Sequence, residues 1–219
     1  MPVLSSYQER FIDLLVESDV IRFGEFILKS GRKSPYFINA GQLSTGRAIA
    51  GLGRAYAERI RDAGLDPDVI FGPAYKGVPL AVATAVALAE RGGDVGFSFD
   101  RKEAKDHGEG GVFVGAQPKD EQRLVLVDDV VTSGASIVSA VSLLRSAARV
   151  HILGVVVAVD REERGRERST VEELEADLGA PVLPVVTISQ IVKYLFSLNR
   201  IGADQRAAIE DYLRRNRPS

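Results

Sequence analysis

The chain has 219 residues, 45% hydrophobic and 26% charged, proportions of an ordinary globular protein that buries roughly 70% of its unfolded surface, which excludes disorder over most of its length. Twenty-eight Lys and Arg against 30 Asp and Glu leave a net charge of -2, so no global field draws it to nucleic acid or an anionic membrane, though local patches remain open. With no cysteine and two histidines, disulfides, thiolate metal sites and a cysteine nucleophile are excluded.

The longest nearly unbroken apolar stretch, Val78 to Ala89, contains Pro79 and falls short of the roughly 18 residues a membrane span needs. The N-terminus MPVLSSYQERFIDLL lacks the basic and apolar regions of a signal peptide. A soluble cytoplasmic protein is expected.

Phe11, Leu14 and Leu15 at helical spacing after Ser5 and Ser6 predict a helix from about Ser6 to Asp19. The stretch FGEFILKSGRKSPYFINAG, Phe23 to Gly41, reads as a small strand-and-turn region. From Thr45 the pattern becomes strand and helix in alternation. Ile49, Leu52, Tyr56 and Ile60 line one face of a helix that Gly64 closes. Strands are predicted at Asp68–Phe71, Val95–Phe99, Arg123–Val127, Val150–Val159 and Val182–Thr187, with helices over 77–91, 135–147 and 170–178 between them. The last helix carries a Thr170/Glu173 capping-box pattern. Continuous apolar runs such as LVLV and ILGVVVAV mark strands buried on both faces. The prediction is a doubly wound α/β fold, a parallel sheet covered by helices. In such sheets ligands bind beyond the carboxyl ends of the strands.

One motif stands out on that rule: RLVLVDDVVTSGAS, Arg123 to Ser136. A buried strand ends in two carboxylates and passes through small residues into a helix. The backbone N–H groups of Thr132, Ser133, Gly134, Ala135 and Ser136 can surround a phosphate at the helix N-terminus. Asp128 and Asp129 make sense if the same ligand presents hydroxyls or a cation beside its phosphate. Alone, the stretch is equally compatible with a strand, an Asp-rich turn and a helix cap. There is no Walker A sequence, and Gly51-Leu-Gly53-Arg-Ala-Tyr56 lacks the third glycine of a dinucleotide fingerprint and lies in a helical pattern. Triphosphate hydrolysis and dinucleotide binding lose most of their support.

The strand–DD–VVTSGAS run resembles the phosphoribosyl-pyrophosphate (PRPP) signature of the type I phosphoribosyltransferases. FGEFILKSGRKSPYFINAG, GPAYKGVPLA (Gly72 to Ala81), FDRKEAKDHGEGG (Phe99 to Gly111) and the DRXERG-like Asp160 to Gly165 narrow it to the orotate phosphoribosyltransferase family. The resemblance implies one domain over residues 1–219, with an N-terminal hood over about 1–44 and an α/β core over 45–219. It also implies Mg²⁺-dependent transfer from PRPP to orotate, as in pyrimidine synthesis.

What the resemblance implies for residues is specific. Asp128 and Asp129 hold the ribose hydroxyls, while Val130, Val131, Thr132, Ser133, Gly134, Ala135 and Ser136 wrap the 5-phosphate. Tyr75, Lys76 and Lys29 contact PRPP. Arg101, Lys102, Lys105 and His107 belong to a loop that closes over PRPP in the neighbouring subunit of a homodimer, Lys102, Lys105 and His107 being catalytic. Tyr36, Phe37 and Ile38 form the wall for orotate beside Thr132, and Arg161 binds its carboxylate. No residue is assigned directly to Mg²⁺, which is expected to come chiefly with PRPP. His151 is expected to be structural or exposed, and Arg164, Arg166 and Arg168 a solvated charge run. Two rival readings remain: a PRPP-binding regulator without catalysis, and a phosphoribosyltransferase for another base. The regulator reading lacks an effector module, since about 20 residues precede the matched segment and the tail after Thr187 carries no basic recognition pattern.

Overall fold

The computed structural model describes residues 4–28, 31–105, 111–131 and 134–217, with residues 102–105 as backbone only. Helix α1 (Ser6–Glu17) buries Tyr7, Phe11, Ile12 and Leu15. Gln8 ties it at both ends of its amide: Oε1 accepts from Ser5 N–H at 3.0 Å and Nε2 donates to the Val185 carbonyl at 2.8 Å. Strands β1 (Ile21–Ile27) and β2 (Lys33–Ile38) then pair antiparallel, Ile21 opposite Ile38 and Phe23 opposite Tyr36. This is the predicted strand-and-turn region.

Helix α2 (Gly46–Asp62) starts at Thr45, whose Oγ1 accepts from Ala48 N–H. After it come β3 (Val69–Phe71), α3 (Gly77–Ala89), β4 (Gly96–Lys105), β5 (Gly111–Gly115) and β6 (Arg123–Val130). The chain continues through α4 (Ala135–Ala147), β7 (His151–Asp160), α5 (Thr170–Leu178), β8 (Val182–Thr187), α6 (Ile188–Ser197) and α7 (Ala203–Asn216). The six-stranded sheet has the order β5-β4-β3-β6-β7-β8. Every neighbouring pair is parallel except β4 with β5, so the predicted parallel sheet carries one antiparallel edge.

Period-two alternation divides the core. Val125, Val127, Val156, Ala158 and Val185 face the side covered by α1, α2, α3, α6 and α7. Leu124, Leu126, Val155 and Val157 face α4 and α5. Both faces are apolar because both are covered, which is why these strands read as continuous rather than alternating runs.

Helices α1 and α3 end two residues before their expected limits, and three further details differ from expectation. β4 runs on to Lys105, because its charged second half pairs back on Gly111 at the start of β5. β6 continues through Asp128 and Asp129, which therefore sit in the strand rather than after it. The capping box of α5 uses Ser169 and Glu172, not Thr170 and Glu173: Ser169 Oγ accepts from Glu172 N–H and Glu172 Oε2 from Ser169 N–H. Glu173 instead takes the N–H groups of Glu167 and Arg168 at 2.6 and 3.1 Å, holding the loop that precedes the helix.

From β3 the chain winds outward to β4 and β5, then returns to place β6 on the other side of β3. The crossovers leave a crevice at the carboxyl ends of β3 and β6, the point where the strand order reverses. At the opposite end, Arg123 binds Asp68 through its backbone N–H, Nε and Nη2 and reaches Asp66 through Nη1. That clamp fixes Val69 against Leu124 and with it the height of the two strand ends at the crevice.

Helices α2 and α3 meet at backbone contact. A Cβ on Gly53 would come within 2.4 Å of the Ala83 carbonyl oxygen, whereas one on Gly46 would meet nothing within 4 Å. The Gly-x-Gly of residues 51–53 is thus helix packing. Inside a helix Gly→Ala ordinarily gains up to about 1 kcal/mol. Gly46→Ala should follow that rule, while Gly53→Ala should lose about 1–3 kcal/mol by overpacking. Urea unfolding of the two variants reads the signs; a stabilised Gly53→Ala would contradict this packing.

Candidate active site

On the β3 side of the crevice, Gly72-Pro73-Ala74-Tyr75-Lys76-Gly77 forms a loop closed backbone against backbone. A Cβ on Gly72 would stand 2.0 Å from the Gly77 carbonyl oxygen, and one on Gly77 would stand 2.5 Å from the Gly72 carbonyl carbon. Only glycine fits at either end. Ala74 N–H donates to Asp100 Oδ1 at 2.8 Å, tying the loop to β4, and the Ala74–Tyr75 peptide is cis. Tyr75 is 70% exposed. Lys76 extends across the crevice, its Nζ 2.7 Å from Asp129 Oδ2. That hydrogen bond raises the lysine's pKa against a smaller opposing effect of burial.

On the β6 side, Asp128 and Asp129 are both buried. Asp128 Oδ1 accepts from Asp129 N–H at 2.8 Å and Oδ2 from Ser136 Oγ at 3.1 Å, while Asp129 Oδ1 accepts from Val130 N–H at 2.8 Å. Beneath them Tyr56, wholly buried, donates to the Asp128 carbonyl at 2.7 Å. Burial first, then the neighbouring Asp129 charge, pushes the Asp128 carboxyl up to about 6, against the opposing Asp129 N–H.

Gly134 begins α4 in the left-handed conformation at φ 68°, where its backbone closes on Leu174. Gly134, at the N-cap of this helix, has no side chain to cap it, and among the described residues no side chain takes the first-turn amides of Ala135 and Ser136, which can serve as anion donors with the helix dipole behind them. Val131 is core, packed with the α4 and α5 side chains, so only its backbone can serve a ligand, whereas Val130 is half-buried.

On the next strand, Asp128 aligns with Val157. Asp160, the end of β7, therefore lies roughly 10 Å further along the sheet at ~3.3 Å per residue. Arg161 follows it, with a side chain only 12% exposed. Its guanidinium carbon lies 5.1 Å from the centroid of the Tyr36 ring, and its Nε and Nη2 both donate to Glu163 Oε1, at 3.0 and 2.7 Å. Tyr36 Oη donates to the same oxygen at 3.1 Å, and Tyr212 Oη at 3.0 Å. Arg32 reaches Glu163 Oε2 at 3.4 Å. The neighbouring Phe37 stacks on Phe26 with centroids 5.6 Å apart, and Ile38 packs, partly buried, against the main core.

The expected residues thus fall into four groups. Tyr75, Lys76, Asp128, Asp129, Gly134, Ala135 and Ser136 gather at the β3/β6 crevice, and Phe37 and Arg161 stand at the neighbouring hood contact. Lys29, His107, Thr132 and Ser133 lie outside the described residues. Arg101 and the backbone of Lys102 and Lys105 occupy the outer half of β4. As expected, His151 is exposed, 2.9 Å from Glu121 Oε2. Sequence reasoning missed Glu163, Tyr212, Tyr56 and Asp100. Glu163 sat within the quoted DRXERG-like segment, but nothing local shows that Tyr212, 49 residues away, shares its oxygen.

The raised Asp128 carboxyl has a stability consequence. Its folded pKa exceeds the unfolded value, so the native state binds more protons between about pH 4 and pH 6, and stability falls as pH rises through that window. A shift of this size corresponds to on the order of 3 kcal/mol. Asp128→Asn should therefore be more stable than wild type at pH 8, with the advantage shrinking toward pH 4. Urea unfolding at the two pH values measures it; equal differences at both would show that the carboxyl is unstrained.

Residues 39–177 match the family described as phosphoribosyl transferase domain. The chain is 47% identical over 211 residues to the orotate phosphoribosyltransferase of Photobacterium profundum, covering 95% of this chain and 97% of that one. It is 50% identical over 194 residues to that of Vibrio cholerae, 88% and 90% of the respective lengths. Among solved structures, the orotate phosphoribosyltransferase of Francisella tularensis superposes with a TM-score of 0.83 at 35% identity, over 94% of this chain and 98% of that one. Similarity at this level over nearly the whole length, on a sheet whose acidic strand end and glycine-closed loop share one crevice, makes the chain a member of the orotate phosphoribosyltransferase family.

Proposed function

We propose that this enzyme transfers the 5-phosphoribosyl group of PRPP to N1 of orotate, giving orotidine 5'-monophosphate and pyrophosphate as a step of pyrimidine synthesis, in the cytoplasm. The observation that carries the donor half is the juxtaposition, across one crevice, of a buried carboxylate pair, a cation on a tight loop and a helix N-terminus whose cap is a glycine. A ligand that suits all three has hydroxyls, a leaving diphosphate and a terminal phosphate on one small body.

In this reading Asp128 and Asp129 accept hydrogen bonds from the ribose diol, and the backbone from Val130 through Ser136 wraps the 5-phosphate. Lys76 exchanges Asp129 for the diphosphate, with Tyr75 and Lys29 beside it. Breaking the C1–O bond leaves positive charge on the ribose and negative charge on the diphosphate, so positioning and charge neutralisation supply the catalysis and no covalent nucleophile is required. Phe37, Ile38 and Thr132 flank the orotate ring, and Arg161 meets its carboxylate, for which a guanidinium offers paired N–H donors.

Mg²⁺ fits the same residues. Among the described residues no cluster of three His, Asp or Glu stands ready for a metal. Mg²⁺ characteristically takes one or two carboxylates and completes its shell with water and substrate phosphates. It would be held chiefly by the oxygens of PRPP, with Asp128 and Asp129 the protein carboxylates at hand. Its chemistry there is to offset charge on the departing diphosphate.

The charged segment that begins in the outer half of β4 completes the reading. Arg101, Lys102, Lys105 and His107 are assigned to the diphosphate of the neighbouring subunit in a homodimer. Unit charges 4 Å apart attract by about 1 kcal/mol in water but about 4 at an effective dielectric of 20. Closure that excludes water would strengthen each contact several-fold. We also take residues 1–219 as one domain, the hood over 1–44 packed on the 45–219 core, since Tyr7, Phe11 and Tyr36 share a buried cluster with Val125 and Val156.

Three acceptors test the assignment. Incubated with PRPP and Mg²⁺, the protein should release pyrophosphate with orotate but not with uracil or hypoxanthine; turnover of hypoxanthine alone would move it to another base, and turnover of none would favour a regulator. Loop sharing has its own test. Lys102→Ala and Asp128→Asn/Asp129→Asn chains should each be nearly inactive. Refolded together at equal ratio they should regain about a quarter of wild-type activity, since half the dimers are mixed and each mixed dimer keeps one intact site. No recovery in verified mixed dimers would place the loop in its own subunit's site.

A further inference from the structure

We infer that Glu163 is the positioning residue of the acceptor site, and that Tyr212 of the C-terminal helix belongs to that site through it. The inference rests on the reading of Arg161 as the partner of the orotate carboxylate.

A guanidinium has two edges that can meet a carboxylate with paired N–H groups, the side edge of Nε with one Nη and the end edge of both Nη atoms. Glu163 Oε1 occupies the side edge of Arg161, taking both Nε and Nη2. Among the described residues no other hydrogen bond is made by this guanidinium, so the end edge is the one left for a substrate. With the side edge fixed by Glu163 and the flat face laid over Tyr36, the plane and direction of the end edge are determined. Without Glu163 the same side chain could rotate about its terminal torsions and present either edge.

The anchor itself is held from two distant parts of the chain, the β1–β2 hairpin and α7. Tyr36 from β2 and Tyr212 from α7 donate to Oε1, and Arg32 from the turn between β1 and β2 reaches Oε2. Tyr36 and Tyr212 also pack edge to face, their centroids 5.7 Å apart. The end of α7 clasps the same loop again on either side of Glu163. Arg164 N–H donates to the Asn216 carbonyl at 2.7 Å, and Arg217 Nη2 donates to Glu162 Oε1 at 2.7 Å. The Asn216 side chain in turn accepts from Arg32 Nη1 at 3.2 Å. This is more fastening than an exposed loop needs for folding, and it converges on the carboxylate that aims Arg161. Burial of the Arg161–Glu163 pair, at 12% and 16% side-chain exposure, makes the orientation stiff because neither partner has water as an easy substitute.

Steady-state kinetics of Glu163→Ala, Glu163→Gln and Tyr212→Phe tests the role. Glu163→Ala should raise KM for orotate by tenfold or more while KM for PRPP stays within twofold. Glu163→Gln should fall between Ala and wild type, because its amide oxygen still accepts. Tyr212→Phe, which removes one of the hydroxyls that donate to Glu163 Oε1, should raise KM for orotate severalfold. In an Arg161→Ala background Glu163→Ala should add little, since a residue that acts only by aiming Arg161 has nothing left to aim. Equal rises in both KM values, or full additivity with Arg161→Ala, would assign Glu163 to folding alone. Should Glu163→Ala fail to fold, the Gln and Tyr212→Phe variants decide by the same split. The wild-type assay separates the two levels: no orotate turnover there removes the acceptor reading itself, whereas wild-type turnover with an unchanged orotate KM in all three variants removes only the role of Glu163.

Discussion

Two carboxylates side by side at the end of a buried strand are an expense that the rest of the crevice is organised around. Asp128 and Asp129 follow one another on β6, where alternation sends their side chains to opposite faces of the strand. Each is satisfied differently: Asp128 by the Asp129 N–H and the Ser136 hydroxyl, Asp129 by the Val130 N–H and the Lys76 ammonium. None of these partners removes the burial that drives the Asp128 carboxyl up. A fold selected for stability alone would put apolar residues here, as it does at the four preceding positions from Leu124 to Val127. Holding two acceptors dry and poised offsets that loss only if a ligand with paired hydroxyls completes them, which is the ordinary trade between stability and function.

The crevice also explains why the β3 loop must be so tight. Lys76 can span to Asp129 because Gly72 and Gly77 bring the loop's ends into backbone contact, and because Arg123, by clamping Asp68 at the far end, keeps β3 and β6 in register. Before a ligand arrives the lysine and the carboxylate neutralise each other. In the proposed reading a diphosphate and a diol arriving together would release each from the other, so the site would exchange one charge-assisted hydrogen bond for several.

Much of this was legible because its signals are local. A strand ending in DD that leads into a helix is announced within 14 residues, and the apolar runs at Leu124–Val127 and Val155–Val159 declare strands covered on both faces. What escaped depends on distance in the chain or on competition between equal local options. Ser169/Glu172 and Thr170/Glu173 satisfy the same capping pattern, and the tertiary demand of the Glu167 and Arg168 amides on Glu173 decides between them. β4 outran its apolar segment because pairing with β5 rewards a backbone whose side chains carry no hydrophobic signal. Glu163 was visible in its motif, yet the partners that give it meaning come from residues 32, 36 and 212, which no spacing rule connects.

The net charge of -2 looked at first like evidence against anionic ligands, and that inference holds only for long polyanions, which respond to the summed field. A small anion responds to the groups it touches. The two halves of the proposed site meet this requirement by different means. The donor half is built into the sheet, with strand ends, a glycine-closed loop and a helix N-terminus set by the crossovers. The acceptor half is assembled from pieces that meet only when the hood, the loop after β7 and the C-terminal helix dock together. Its guanidinium is aimed by side-chain hydrogen bonds rather than by backbone geometry. Substitutions on the docked pieces should therefore act on the acceptor while leaving the donor half intact, because among the described residues nothing in the β3/β6 crevice is hydrogen-bonded to Glu163 or to α7.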